Sequence, residues 1–259
     1  MIPYFQSNAI IVGPLTIQVW GLMVSLGIIA AVFLMTRLAK KYFLSEEVAL
    51  DLAVWTIIAG FLGARFFHVV FYNLDYYIAN PAEIFKFWHG GASSLGGFFG
   101  AAVAVWIFAK RRHFTWKELL PYFDIAVVSL WLGWGIGRLG CFLIHDHPGT
   151  LSHFLLAVNF PAGARHDLGL YESILGFSLF IIFILFFKRL VKIRWGLVAG
   201  FSVAGYAVAR FFLDFLRATD VPGSDIRYGH LTPAQWGMMV VFFLILLLGL
   251  SKPREFKFI

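Results

Sequence analysis

A single cysteine, Cys141, occurs among the 259 residues, which excludes an intrachain disulfide and any multi-cysteine metal centre. Charge is also scarce: Asp, Glu, Lys and Arg make up 14% of the chain, against about a quarter of an ordinary soluble domain. There is no GxSxG elbow for a serine hydrolase, Ser93 and Ser94 have no partner spacing, and no P-loop supports ATP-driven work. The two halves show no internal repeat, which argues against an inverted-repeat transporter. The first apolar stretch lacks a basic flank and runs on at full spanning length, so no cleavable signal peptide is expected. His145, Asp146 and His147 are consecutive and do not converge on a helix, so no metal is expected.

What remains is a chain that is 60% hydrophobic, with 30 Phe, 9 Trp and 9 Tyr. Crossing a bilayer takes about 20 apolar helical residues. Seven stretches qualify: Ile17–Met35, Val48–Phe71, Ala92–Ala109, Tyr122–Ile144, Leu170–Phe187, Trp195–Leu216 and Thr232–Leu250. The runs are continuous rather than alternating, which disfavours a barrel. The net charge of +7 follows from topology and does not imply a nucleic-acid partner. Arg37, Lys40, Lys41, Lys110, Arg111, Arg112, Lys117, Lys188, Arg189, Lys192, Arg194, Lys252, Arg254 and Lys257 all fall on one side, fourteen of the 21 basic residues. The positive-inside rule places that side in the cytoplasm. The expected fold is an all-α polytopic membrane protein of seven transmembrane helices, N-terminus outside and C-terminus cytoplasmic, in one domain over residues 1–259.

Three arginines, Arg65, Arg138 and Arg210, fall inside the expected spans. A central arginine costs roughly 2.5–3.5 kcal/mol on insertion scales, so each needs a partner, a function or a route to the head groups by snorkelling. Arg138 lies in the glycine-laced stretch GWGIGRLGCFLIHDHPG, Gly133–Gly149, which ends in His145-Asp146-His147. Tyr206, Arg210, Asp214 and Arg217 recur at one helical face, with Arg210 and Asp214 spaced to pair across a turn. The positive excess over that face favours a bound anion over a self-neutralised pair. Glu172, read alone, is an acid near a helix N-terminus, where the dipole favours it. Cys141 reads as a small packed thiol, and Arg65 as a structural or interfacial charge. The glycines of Gly90–Gly100 suit either close approach to a ligand or helix packing. The polar stretch 145–169, with His153, Arg165, His166 and Asp167, is expected as an outer loop, and Ala218–Leu231, with Asp220, Asp225 and His230, as another.

These residues resemble the prolipoprotein diacylglyceryl transferases. The resemblance is carried by WGLM at Trp20–Met23, GARFFHVVFYNLDYY at Gly63–Tyr77, WHGGASSLGGFFG at Trp88–Gly100, GRLGCF at Gly137–Phe142, LYES at Leu170–Ser173, ARFFLDFLR at Ala209–Arg217 and LTPAQW at Leu231–Trp236, in one order. It implies a bacterial inner-membrane, multi-pass enzyme with no cofactor. That enzyme moves the diacylglyceryl group of phosphatidylglycerol to a lipobox cysteine in the signal-peptide region of a preprolipoprotein, releasing glycerol phosphate. Its partners are those two substrates and membrane lipids. The family's essential arginines fall on Arg138 and Arg210, with Asp214 a turn later and Asp146 and Gly149 closing the signature. Gly90, Gly91, Gly96, Gly97, Trp20, Tyr171 and Glu172 fall in matching motifs and are expected to line the substrate. The chain departs from the family at Leu95, usually histidine; Cys141, usually asparagine; Trp20, usually tyrosine; and Asp214, usually glutamate.

The chemistry asks for fixed cations against the departing phosphate and a base for the thiol. Arg138 and Arg210 are expected to clamp the phosphate while Asp214 orients an arginine. His145 or His147 takes the base role vacated at Leu95, His145 being expected on the helix face that carries Arg138. Other readings are a homologue that binds anionic phospholipid or precursor without transfer, a transferase of altered specificity, and a secondary transporter.

Overall fold

The computed structural model describes residues 1–86, 90–221, 224 and 227–250. Trp88 and His89 of the glycine-rich motif, Asp225, and the basic residues Lys252, Arg254 and Lys257 lie outside the described residues. The helices are α1 (Val19–Lys41), α2 (Glu46–Phe71), α3 (Leu74–Ala79), α4 (Ser94–Arg111), α5 (Trp116–Ile144), α6 (Leu168–Ile193), α7 (Leu197–Leu213) and α8 (Pro233–Leu250). Five helices, namely α1, α2, α5, α6 and α7 with its following turn, are long and apolar enough to cross a membrane. The apolar helices α4 and α8 occupy the other two expected positions.

The chain is mostly helical, and short strands add to the all-α architecture expected. Strands β1 (Ile2–Pro3), β2 (Ala9–Val12), β3 (Leu15–Gln18), β4 (Pro148–Leu151), β5 (Val158–Phe160) and β6 (Gly163–Asp167) form a hairpin, β2–β3, and a sheet in the order β1-β5-β6-β4. Ile17, expected in the first span, is a strand residue, and the stretch 145–169, expected as a loop, contains strands β4, β5 and β6. Strands of two to five residues interrupted by Pro148, Gly149 and Gly163 are too short for a periodicity to register.

Two units make up the chain: Met1–Met35 with Phe123–Ile259, and Thr36–Tyr122. In the first, glycines set the helix spacing. A Cβ at Gly133 would collide with the Gly27 carbonyl of α1, and one at Gly176 of α6 would sit 2.8 Å from the Gly135 nitrogen. Close backbone approach through small residues is the usual device of membrane helices. It brings α1 and α6 onto the stretch of α5 that carries Arg138. Helix α7 starts at Gly196, held at φ +93°, and the fully buried Asp124 of α5 accepts from the N–H groups of Gly196 and Ala199 at 2.6 and 2.7 Å. A carboxylate there satisfies free helix donors and the dipole together. Strand β6 runs directly into α6, whose N-cap is Asp167, accepting from the Leu170 N–H at 3.1 Å. The sheet therefore fixes where α6 begins.

In the second unit, α2 packs on α4 through Gly63, Gly96 and Gly100. An added Cβ at Gly96 would meet the Gly63 carbonyl and the Phe67 side chain, and one at Gly100 the Ala59 carbonyl. Ser45 and Ser93 cap α2 and α4.

Candidate active site

The first unit assembles a chain of alternating charge from α5, α6, α7 and the 3-10 turn that follows α7, Asp214–Leu216. Arg138 Nη2 lies 3.0 Å from Glu172 Oε2, and Glu172 Oε1 lies 3.5 Å from Arg210 Nη1. Arg210 Nη1 then meets Asp214 Oδ1 at 2.7 Å, and Arg217 Nε donates to the same oxygen at 2.9 Å. The other Asp214 oxygen takes the Thr232 hydroxyl. Three guanidiniums thus face two carboxylates.

Two expectations are corrected here. Glu172 is not a dipole-stabilised acid of a first turn: α6 starts at Leu168, so Glu172 lies beyond it, fully buried between Arg138 and Arg210. Arg65 and Arg210 do not snorkel, being 4% and 6% exposed. The Arg210–Asp214 pairing expected from their spacing is present.

The pairing is charged but poorly aligned. Among the described residues, neither Glu172 oxygen nor Arg210 Nη1 finds a hydrogen-bond partner, although the ion contacts are short. The indole N–H groups of Trp131 and Trp134 are likewise buried without a partner among the described residues. Both rings pack on Tyr206, at 4.9 and 5.9 Å between centroids, and the Arg138 guanidinium lies 4.8 Å over Trp134. Buried donors of this kind are rare in folded proteins and call for an explanation.

On its other side Arg138 reaches Cys141, with Nη1 3.6 Å from the buried sulfur. The Trp20 indole, at the start of α1, also bonds that thiol. Cys141, Asp146 and His147 bring one donor atom each within 4.8 Å of one another, and Asp146 Oδ1 contacts His147 Nδ1. Asp146 is exposed and His147 half-buried.

His145 has a different fate. Helix α5 ends at Ile144, and His145 turns out of it at φ +52°, so the helix face expected to align it with Arg138 stops one residue short. Its Nδ1 lies 2.6 Å from Asp167 Oδ2, its Nε2 is buried without a partner among the described residues, and Tyr4, Phe5, Phe142 and Phe160 surround the ring at 4.9 to 5.3 Å. Burial raises the Asp167 carboxyl pKa, opposed by His145 and the Leu170 N–H. His145 joins the end of α5 to the start of α6 and is 7% exposed.

Gly149 is a close-approach glycine. A Cβ there would sit 2.6 Å from the Leu216 carbonyl, and Gly149 bridges Arg217 as an isolated antiparallel pair. Its carbonyl accepts from Arg165 at 3.0 Å. Tyr171 bonds His166 Nδ1 at 2.6 Å, and burial lowers the His166 pKa.

In the second unit, Gly90 and Gly91 both sit at φ +80° and give their carbonyls to Arg65. Ile84, Glu83 and Lys86 add three more carbonyls, at 3.0, 2.6 and 3.2 Å, and the Tyr77 ring lies 5.2 Å from the guanidinium. Gly96 is in the α2–α4 contact, and a Cβ at Gly97 would make ordinary contacts at 3.6 Å or more. Leu95 is two-thirds exposed on α4.

Sequence reasoning missed Trp131, Trp134, Thr232, Gln235 and the Asp167 cap. Thr232 and Gln235 carry a readable signal, T-P-A-Q, a capping box with proline at the first helical position. In the structure the Thr232 N–H donates to Gln235 Oε1 at 2.9 Å, and the Gln235 N–H to Thr232 Oγ1 at 3.2 Å. The two tryptophans give no signal, since aromatics are plentiful along the whole chain.

The family model described as prolipoprotein diacylglyceryl transferase matches residues 7–250. Among curated relatives, the phosphatidylglycerol–prolipoprotein diacylglyceryl transferase of Pseudomonas paraeruginosa is 36% identical over 239 residues, covering 90% of this chain and 88% of the relative. The proteins of that name from Ehrlichia canis and Pseudomonas syringae pv. syringae are 31% and 32% identical, covering 91% and 98% of this chain and 90% and 97% of the relatives.

Proposed function

Because the chain belongs to the prolipoprotein diacylglyceryl transferase family, we propose that it transfers the diacylglyceryl group of phosphatidylglycerol to the lipobox cysteine of preprolipoproteins. A C–S bond forms at the glyceryl carbon, the C–O bond to phosphate breaks, and glycerol phosphate leaves with the electron pair. The enzyme works in the bacterial inner membrane as one domain of seven spans, N-terminus outside. Arg37, Lys40, Lys110 and Lys188 lie on the cytoplasmic side.

The observation that carries this reading is the shared carboxylate between Arg138 and Arg210. Two guanidiniums meeting at one carboxylate suit an additional anion such as a phosphodiester. As the C–O bond breaks, the phosphate gains a second negative charge. Fixed cations in a site of low dielectric stabilise that change most. Asp214, held by Thr232, orients Arg210 and Arg217. The thiol proton is handled at the Cys141–Asp146–His147 edge, which Arg138 joins to the phosphate site. Gly149 sets the approach of Arg217, while Gly90 and Gly91 supply a rigid turn.

A second reading, lipid or precursor binding without transfer, is favoured by the exposed Leu95 in place of the family's histidine. Purified protein in phosphatidylglycerol vesicles with a lipobox peptide separates the two, through thioether and glycerol phosphate measured together. Transfer is expected, and bound lipid with no glycerol phosphate establishes the second reading. His147→Ala is expected to lower turnover at least tenfold, whereas His145→Ala lowers stability more than turnover. Full activity in both variants removes the relocated base.

A further inference from the structure

We propose that the turn between α4 and α5 holds an anionic phospholipid by its phosphate, in a cavity lined by Trp106, Ala109, Lys110, Phe114, Thr115 and Trp116. The lipid belongs to the leaflet on that side, the cytoplasmic one in the proposed orientation. The site itself does not depend on the transfer reaction.

The cavity has a volume of about 310 Å³, and sites for small ligands begin near roughly 300 Å³. Its shape follows from how α4 ends. His113 takes a left-handed conformation at φ +57°, the Phe114 N–H returns to the Ala109 carbonyl at 2.9 Å, and the His113 N–H points to the Lys110 carbonyl at 3.4 Å. These are the two hydrogen bonds of a Schellman motif. The Phe114 ring is thereby folded against Phe108 and Tyr122, with centroids 6.1 and 6.2 Å away. Trp106, Ala109 and Lys110 recur at i, i+3 and i+4, so they share one face of α4. Ala109 is small and buried between two large neighbours, which leaves the space. Trp116 opens α5 and supplies the facing wall.

Charge selects the occupant. Arg112 pairs with Asp51 and lies 3.9 Å from Glu47, and the Arg111 guanidinium lies 5.4 Å over the Trp55 ring. The acid of the turn, Glu118, accepts from the Thr115 N–H and hydroxyl, both at 2.7 Å. Lys110 is exposed and has no ion pair among the described residues, so the cavity carries a positive charge of its own. Its indole walls are about half exposed, Trp106 at 53% and Trp116 at 56%. Indoles of this kind gather where head groups meet hydrocarbon, and basic pockets at the cytoplasmic ends of spans suit phosphate head groups. A free phosphate would use Lys110 alone. A phospholipid also covers the rings, with its ester region and first methylenes.

Native mass spectrometry of the full-length protein in detergent, titrated with dioleoylphosphatidate, tests the site. Lys110→Gln and Trp106→Ala should each weaken binding of one lipid at least fivefold, whereas Lys110→Arg should keep it. Thermal melts in lipid-free detergent should show all three variants folded. Lys117→Gln removes an equal charge from the same turn outside the cavity and should leave binding unchanged. A phosphatidate carrying a diazirine beside the ester should label the protein within residues 106–116. Undiminished binding by Lys110→Gln, or labelling only elsewhere, overturns the site. Equal loss in Lys117→Gln overturns it by reducing the effect to diffuse surface charge. Loss confined to Arg138→Gln assigns the lipid to the transfer site instead and also overturns the proposal. Displacement of the lipid by millimolar inorganic phosphate overturns the phospholipid as occupant in favour of a free anion.

Discussion

Arg65 and the Arg138–Arg210 pair bury the same charged group within apolar helices by opposite means. Arg65 gives its donors to five backbone carbonyls of one short stretch, with Tyr77 against its face. Arg138 and Arg210 share a carboxylate that neither meets in hydrogen-bond geometry, beside two indole donors with no partner among the described residues. A saturated cation fixes a fold. An under-satisfied cluster keeps capacity for a ligand.

Glu172→Gln gives the largest expected effect and strikes the unsaturated side. Removing one member of a buried ion cluster commonly costs about 3–5 kcal/mol because the other charges stay buried without compensation. Thermal unfolding in detergent should show that loss, and added phosphatidylglycerol should restore part of it by supplying the missing negative charge. A variant as stable as the parent, or one that lipid does not rescue, breaks the comparison.

Arg65→Met is the matched change on the saturated side. Leaving two or three carbonyls unsatisfied at about 1 kcal/mol or more each should cost on the order of 3 kcal/mol. Here phosphatidylglycerol should give no selective recovery, and Arg65→Lys should recover little, because an ammonium cannot reach five carbonyls in a planar fork. Turnover per folded molecule should fall less than stability. Selective rescue by lipid would move Arg65 into the same class as Arg138.

The two sides were not equally legible in the sequence. Long apolar runs declared the helices, because a continuous stretch of about 20 residues has few other uses. The i, i+4 spacing declared Arg210 and Asp214. Glu172 was misread because its partners lie 34 and 38 positions away and only the folded bundle brings them together. His145 and His147 are two positions apart with opposite surroundings. That outcome was decided by where α5 stops, and helix ends are the least certain part of any pattern. The sheet over 148–167 was hidden because its strands are short and broken by proline and glycine.

Alignment can be tested at the smallest scale on a third arginine. Arg165 meets Asp220 in a bidentate pair, 2.9 and 2.5 Å, with Asp220 half exposed at 52%. Both lie outside the membrane-spanning helices, and the Arg165 hydrogen bond lowers the Asp220 pKa. A carboxyl whose folded pKa lies below its unfolded value adds stability that is fully present above the unfolded value, about 3.9, and is lost as pH falls through the folded one. The melting temperature of Asp220→Asn should therefore trail the parent slightly at pH 7. The gap should close below about pH 4 and shrink in high salt, because exposed pairs are screened. Comparing the two proteins at each pH cancels every other titrating group. A gap that persists through pH 3 would mean that Asp220 acts through packing rather than charge. Ideal alignment at the surface would then say nothing about the misaligned pair inside.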